Sequence, residues 1–188
     1  MPDALQLMAT RRSVKPFEMT GPGPTAAEID TLLTVASRVP DHGKLAPWRF
    51  ILFEGEGQRK AARLIEQGYR RRFPNATDEQ VTDAGRRFSQ APLVVAVISR
   101  PAPHPRVPEW EQVLSAGAST MNLVIASHAM GYAACWLTDW VSYDDAVLKE
   151  LGVMPGEKVA GFVHIGRAAQ TTEDRPRPAL ADIVTRFA

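Results

Sequence analysis

The sequence predicts one mixed helix–strand domain, α/β or α+β, and three observations predict it. The chain has 188 residues, of which 45 % are hydrophobic, the length and core content of a single domain. Short apolar runs of strand length occur at 92–98 and 158–165, with longer stretches of helical spacing between and before them. No internal repeat and no long low-complexity tract divides the chain. We therefore take 1–188 as one domain, with about 167–188 forming a C-terminal arm.

The elements follow in order. Residues 3–10 carry Leu5 and Met8 on one face, a short helix with Asp3 at its start. Pro16, Gly21, Pro22, Gly23 and Pro24 make the next stretch a loop. Thr25 and Glu28 have capping-box spacing, and Ile29, Leu32, Leu33 and Ala36 share a face, so a helix runs to about Arg38. Val39 to Gly43 breaks it, because Pro40 disfavours helix in the residue before it. Residues 48–53 are aromatic and aliphatic, a strand. Residues 57–72 form a basic helix and 78–89 a second polar one. Residues 92–98 form a buried strand, since an apolar run without alternation is covered on both faces. Four prolines between 101 and 108 stiffen a connector to a long, mostly apolar helix over 109–130, slim at Gly117, Ala118 and Ser119. Gly131 ends this helix. A strand over 132–137, a helix over 142–151 and a last core strand over 158–165 complete the domain. Beyond Gly166 the chain is polar until Leu180, Ile183, Val184 and Phe187. Such a tether suits an arm docked on a partner subunit, an arm packed on its own subunit, or a frayed end.

The totals exclude several functions. A formal net charge of +1 and no basic stripe argue against nucleic acid as a partner. The single cysteine, Cys135, forms no internal disulfide and builds no zinc site alone, so we expect no metal. No apolar run reaches membrane-spanning length, and residues 1–17 lack the apolar core of a secretion signal. The expected location is the cytoplasm, with no membrane partner. Gly21 to Ala26 loosely matches a dinucleotide fingerprint but follows no strand, and its two prolines remove N–H groups that a pyrophosphate needs. Gly55-Glu56-Gly57 follows a strand, yet Lys60 stands where a third small residue belongs and Glu56 would repel phosphate. Walker A and Gly-x-Ser-x-Gly sequences are absent. The four histidines have no ligand-like spacing. His128 and His164 read as packed and hydrogen-bonded, and Cys135 as core.

Three segments remain. Arg11, Arg12 and Ser13 follow the first helix, and forked guanidiniums beside a hydroxyl suit a phosphate monoester as well as a solvated turn. Residues 38–50 gather Arg38, His42, Lys44 and Trp48 around Gly43, Pro40 and Pro47, a stiff loop with polar side chains. Residues 107–117, read on through Trp136, Leu137 and Thr138, join the long helix to a strand end.

In this order the segments resemble the nitroreductase family of FMN enzymes, closest to its short, minimal bacterial NAD(P)H nitroreductases. The matching pieces are Arg11-Arg12-Ser13, Pro40-Asp41-His42 with Pro47-Trp48, residues 107–112 leading to Ser115-Ala116-Gly117, and the last strand at 161–166. The resemblance covers nearly the whole chain. It implies an α+β fold: a mostly antiparallel sheet flanked by helices, in a homodimer with C-terminal arm exchange and FMN at the interface. It implies that Arg11 and Ser13, with Arg12, hold the FMN phosphate, that Arg38 and His42 contact FMN from the other subunit, and that Trp136, Leu137 and Thr138 line the isoalloxazine. The nicotinamide stretch would fall near 126–131. The family often has Gly-x-Pro after the last strand, where this chain has Gly166-Arg167-Ala168.

The activity so implied is ping-pong hydride transfer from NADPH or NADH through flavin N5 to a small nitroaromatic or quinone-like acceptor. The flavin carries that chemistry, so no dedicated catalytic side chain is expected. Alternatives are a family relative with another acceptor, a non-catalytic flavin-binding or storage protein shielded by Trp136 or the proline-rich connector, and a basic interaction module built on the 59–72 helix.

Overall fold

The computed structural model of the protein describes residues 3–187. Its centre is β5 (Lys158–Ala168). On one side β5 pairs with β3 (Leu93–Ser99), which pairs in turn with the edge strand β2 (Trp48–Phe53). On the other side its residues 162–166 pair with β4 (Ala133–Leu137), and Arg167 and Ala168 pair with β1 (Met19–Thr20). Every pairing is antiparallel. The fold is therefore α+β, as the resemblance implies.

The continuous apolar run of β3 has its reason here. Leu93, Val95 and Val97 face α2 (Ala26–Ala36) and α5 (Glu109–Ala129), packing with Leu32, Leu123 and Val163. Val94, Ala96 and Ile98 face the opposite layer, with Ile65 of α3 (Gly55–Arg72), Phe88 of α4 (Asp78–Ser89) and Val147 of α6 (Asp145–Glu150). Helices cover both faces of the sheet, so alternate residues meet two different cores.

The caps show which sequence signals held. Thr25 and Glu28 close a reciprocal capping box on α2, and Thr77 and Gln80 do the same on α4. Asp3 precedes α1 (Ala4–Thr10) without a side-chain cap bond. The helix expected from Ser142 is split: Ser142 lies in a 3-10 turn over Trp140–Tyr143, and α6 starts after Asp144, whose carboxylate accepts from the Val147 N–H at 3.1 Å. An Asp side chain there satisfies one of the orphan amides of a helix start.

The last strand is longer than expected. Arg167 and Ala168, assigned to the arm, stay in the sheet because β1 pairs with them, and the Ala169 N–H adds a bond to the Glu18 carbonyl at 2.9 Å. A two-residue strand has no pattern of its own, so nothing local in 16–20 announced it. The arm proper starts after this point and ends in α7 (Leu180–Ile183).

A partly buried ion pair fixes the free edge of the sheet. Arg49 on β2 donates to the Glu157 carboxylate at 2.7 and 2.5 Å and to the Gly152 carbonyl at 2.7 Å. It ties β2 to the turn that leads into β5.

Candidate functional site

The Arg-Arg-Ser segment leaves α1 in an extended conformation. The Arg11 N–H closes the helix on the Leu7 carbonyl, and three residues later the Val14 N–H donates to the Ala134 carbonyl of β4 at 3.4 Å. Val14 is buried with Ala133, Cys135 and Met19. Hydrophobic anchoring of one residue thus lays Arg11, Arg12 and Ser13 beside β4, whose far end carries Trp136, Leu137 and Thr138. Six of the eight expected site residues come from these two neighbouring segments.

Beyond Val14 the chain forms one wall of an open groove of about 950 Å³. Lys15, Pro16 and Phe17 line that wall, and Asp83, Arg87 and Phe88 of α4, with Gln90 just after it, line the other. The floor is the sheet itself, with Cys135 and Leu137 from β4 and Phe162 and His164 from β5, and Thr138 at the strand end. Floor residues alternate along each strand, so Trp136 points to the other face. There its indole N–H donates to the Ala160 carbonyl at 3.0 Å. The ring lies on Gly161, where any Cβ would overlap it. Of the expected strand-end trio, Leu137 and Thr138 enter the groove and Trp136 does not.

The groove is cationic at its rim and apolar at its floor. Asp83 holds both Arg86 and Arg87, accepting from them at 2.6 and 2.8 Å, and these bonds keep its carboxyl below the usual range. Lys15 has no ion pair among the described residues. On the floor His164 stands directly opposite Cys135, with the Phe88 ring edge-on at 6.0 Å. Burial pushes the His164 imidazole down to about 4 and the Cys135 thiol up. His164 is packed as expected, but its buried Nδ1 has no hydrogen-bond partner, contrary to the reading of a satisfied core histidine. The other histidine so read, His128, likewise leaves a buried Nε2 unpaired, and its imidazole is pushed to about 4, first by burial and then by the nearby Arg11 charge.

The arm returns to the same segment. Arg12 donates to the Glu173 carbonyl and to the Asp174 carboxylate, the latter at 3.3 Å. Asp174 also accepts from the Arg175 N–H at 2.8 Å and from the Arg177 guanidinium at 3.3 Å. One further guanidinium, that of Arg177, is thereby drawn toward Arg12. Arg167, at the departure from Gly-x-Pro, does something else: it stacks on Tyr132 at 4.0 Å and donates to the Gly131 carbonyl at 2.9 Å, securing the end of α5.

Arg38 and His42 lie elsewhere. Asn122 of α5 donates to the Val35 and Arg38 carbonyls at 3.2 and 3.0 Å, and Ser115 donates to the Pro40 carbonyl at 2.7 Å. Trp48 donates to the Ser115 hydroxyl at 3.1 Å, and His42 Nδ1 meets the Glu111 carboxylate at 2.7 Å. Asp41 holds the turn by accepting from the Leu45 and Ala46 N–H groups, across backbone with positive φ at Gly43 (75°), Lys44 (56°) and Ala46 (45°). Such dihedrals cost energy in non-glycine residues and persist where surroundings impose them. His42 is thus fixed at the first turn of α5, while Arg11 sits by His128 in its last turn. At 1.5 Å rise per residue, Glu111 and His128 are about 25 Å apart along that helix. One chain does not bring His42 to the Arg11 segment.

Sequence reasoning passed over Lys15, Phe17, Arg87, Gln90 and His164 as site residues. Lys15 and Phe17 stood inside a motif already singled out. Arg87 belongs to a helix that read as merely polar, Gln90 follows it directly, and His164 belongs to a strand that read as core. Among the described residues no cluster of three or more His, Cys, Asp or Glu side chains is arranged to hold a metal ion. No described helix is long and apolar enough to cross a membrane.

Comparison with known proteins agrees with this architecture. The model of the nitroreductase family matches residues 8–167. "Putative NAD(P)H nitroreductase YdjA" of Escherichia coli (strain K12) is 31 % identical over 180 residues, covering 94 % of this chain and 96 % of that protein. Among solved structures, the nitroreductase-like family protein from Bacillus cereus superposes with a TM-score of 0.84 at 20 % identity, covering 100 % of this chain and 97 % of that one. A nitroreductase with bound FMN from Bacteroides fragilis NCTC 9343 gives 0.71 at 21 % identity, with 100 % of both chains covered. By the extent of these matches, the chain belongs to the nitroreductase family.

Proposed function

We propose that this protein is an FMN-dependent NAD(P)H oxidoreductase acting on electron-poor acceptors such as nitroaromatics and quinones, and that it works as a homodimer. The observation that carries the reading is the Val14–Ala134 bond, which lays the Arg11 to Ser13 segment beside the groove-lining end of β4. The family membership and the FMN bound by a structural relative support it.

The residues present fit FMN. Arg11, Arg12 and Ser13 offer forked donors and a hydroxyl for its phosphate, with the Arg177 guanidinium close by through Asp174. The groove offers a largely apolar floor that includes the His164 imidazole, and polar side chains at its rim. When bound, FMN supplies hydride transfer at N5 between NAD(P)H and the acceptor. Lys15 and Arg87 place positive charge where negative charge on the reduced ring would be stabilised. Trp136, the candidate shield in a storage protein, stays out of the groove.

Homodimerisation supplies what one chain lacks. Arg38 and His42 of the partner subunit would complete the site, which this subunit's own His42 does not reach. The surface supports the reading. Trp110, Val113 and Leu114 expose an apolar strip on α5, with Trp110 at 68 %, and a Cβ at Gly117 would meet nothing within 4 Å. Leu180, Ile183, Val184 and Phe187 of the arm are exposed as well. Apolar patches of this extent mark interaction sites.

The test is the absorption spectrum of freshly purified protein. Flavin bands, FMN released on denaturation, and bleaching by NADPH or NADH without oxygen are the expected results. A colourless protein that also refuses added FMN would overturn the reading.

A further inference from the structure

His164 is an anomaly in a strand that otherwise needs no polar side chain. Its neighbours along β5 are Val163 and Ile165, and its cross-strand neighbours are Val94 and Cys135. It is 4 % exposed, and its Nδ1 is buried with no donor or acceptor in reach. A buried polar atom without a partner is a standing cost that an aliphatic residue would remove. The imidazole nevertheless lies on the floor of the groove, between Cys135 and the Phe88 ring. Its depressed pKa keeps it neutral near pH 7, with one donor nitrogen and one acceptor nitrogen.

Resting on the FMN reading above, we infer that His164 is a flavin-positioning residue that hydrogen-bonds the pyrimidine edge of the isoalloxazine. The two ends of that ring differ. The dimethylbenzene edge is apolar and would leave His164 unpaired. The pyrimidine edge alternates carbonyl, N–H and carbonyl, and a neutral imidazole can meet either kind of group. The rim above suits the same edge: Lys15 donates only and the Gln90 amide both donates and accepts, while Arg87 is held by the Asp83 carboxylate and Asp139 adds a second acceptor. With the phosphate held at Arg11 to Ser13, the pairing of His164 fixes which end of the ring enters the groove.

The inference makes opposite predictions for the apoprotein and the complex. In apoprotein, His164→Leu removes an unsatisfied polar atom, so its thermal midpoint stays equal to or rises above that of the parent. Its affinity for FMN falls roughly tenfold, and equally for riboflavin, because the phosphate is not involved. His164→Asn, which keeps a donor and an acceptor, recovers part of the loss, and the absorption band of bound flavin shifts between variants. In the parent protein labelled with ¹⁵N-histidine, the His164 ring resonances move on addition of FMN, a readout that needs no variant to fold. Flavin bound with the same affinity and spectrum in His164→Leu, or parent ring resonances unmoved while FMN binds, would overturn the inference and leave the FMN reading intact. A lowered apoprotein midpoint with a parallel loss of binding would make His164 a packing residue. Failure of the parent to bind FMN at all would remove both.

Discussion

Arg11 shows how a single side chain acquires a role from its backbone. The α1 helix ends on it, the extended segment after it is anchored by Val14, and its guanidinium lies near His128 without an ion pair among the described residues. Arg11→Ala should weaken FMN retention by roughly 1.5–3 kcal/mol, one charge-assisted bond, read by fluorescence titration of apoprotein. Unchanged affinity would take Arg11 out of the site. His164 makes a second prediction at this scale. Its folded-state value of about 4 lies below the ordinary 6.5, so between those limits the unfolded chain binds a proton that the folded chain does not. Stability of the apoprotein therefore falls as pH drops from about 6.5 to about 4, by at most about 3 kcal/mol from this residue. The carboxylates held low, such as Glu157 and Asp83, lose their contribution only below their ordinary values near 4.5 and 3.8. Urea midpoints at pH 7 and pH 4.5 test this, and a parent and a His164→Leu variant with the same pH slope would contradict it. Sequence could name Arg11 but not His164, because a histidine within an apolar strand looks the same whether its ring is satisfied or aimed into a groove.

At the scale of elements, helices and strands with strong local signals stand where pattern put them: α2, α4, α5, β2 and β3 agree within a residue or two. Elements whose existence depends on a distant partner were invisible, β1 above all. The edge of the sheet depends on one contact between distant segments. Arg49 and Glu157 are mostly shielded from solvent, and each strengthens the charged form of the other, raising the arginine and lowering the glutamate. Glu157→Ala should cost about 2–3 kcal/mol in a urea titration, because it strands a half-buried guanidinium. Replacing both partners with apolar residues should cost less than the two single changes together. Full additivity would mean that the pair does not act as a pair.

At the scale of the whole molecule, the exposed strip on α5 and the apolar tip of the arm belong to the proposed dimer. The arm's first half is tied to its own subunit through Arg12 and Asp174, so exchange with a partner would involve the segment beyond Arg177. Deleting 178–188 should therefore weaken the dimer, seen as a rise in monomer at low concentration by analytical ultracentrifugation. A truncated chain that stays dimeric when dilute would show that the arm docks at home. Loss of FMN affinity in parallel with dissociation would place Arg38 and His42 of the partner subunit in the site.

The sequence by itself determined the family, the main helices and strands, and the two segments that carry Arg11, Arg12, Ser13 and Trp136, Leu137, Thr138. These are properties of local pattern: capping pairs, apolar period and short motifs. Only the tertiary structure decided which face each residue serves. Antiparallel register put Leu137, Phe162 and His164 on the groove floor and turned Trp136 to the other side over Gly161. The length of α5 separated His42 from Arg11. Register and helix span are relations between distant residues, set by packing on both faces of one sheet, and no local window of sequence contains them.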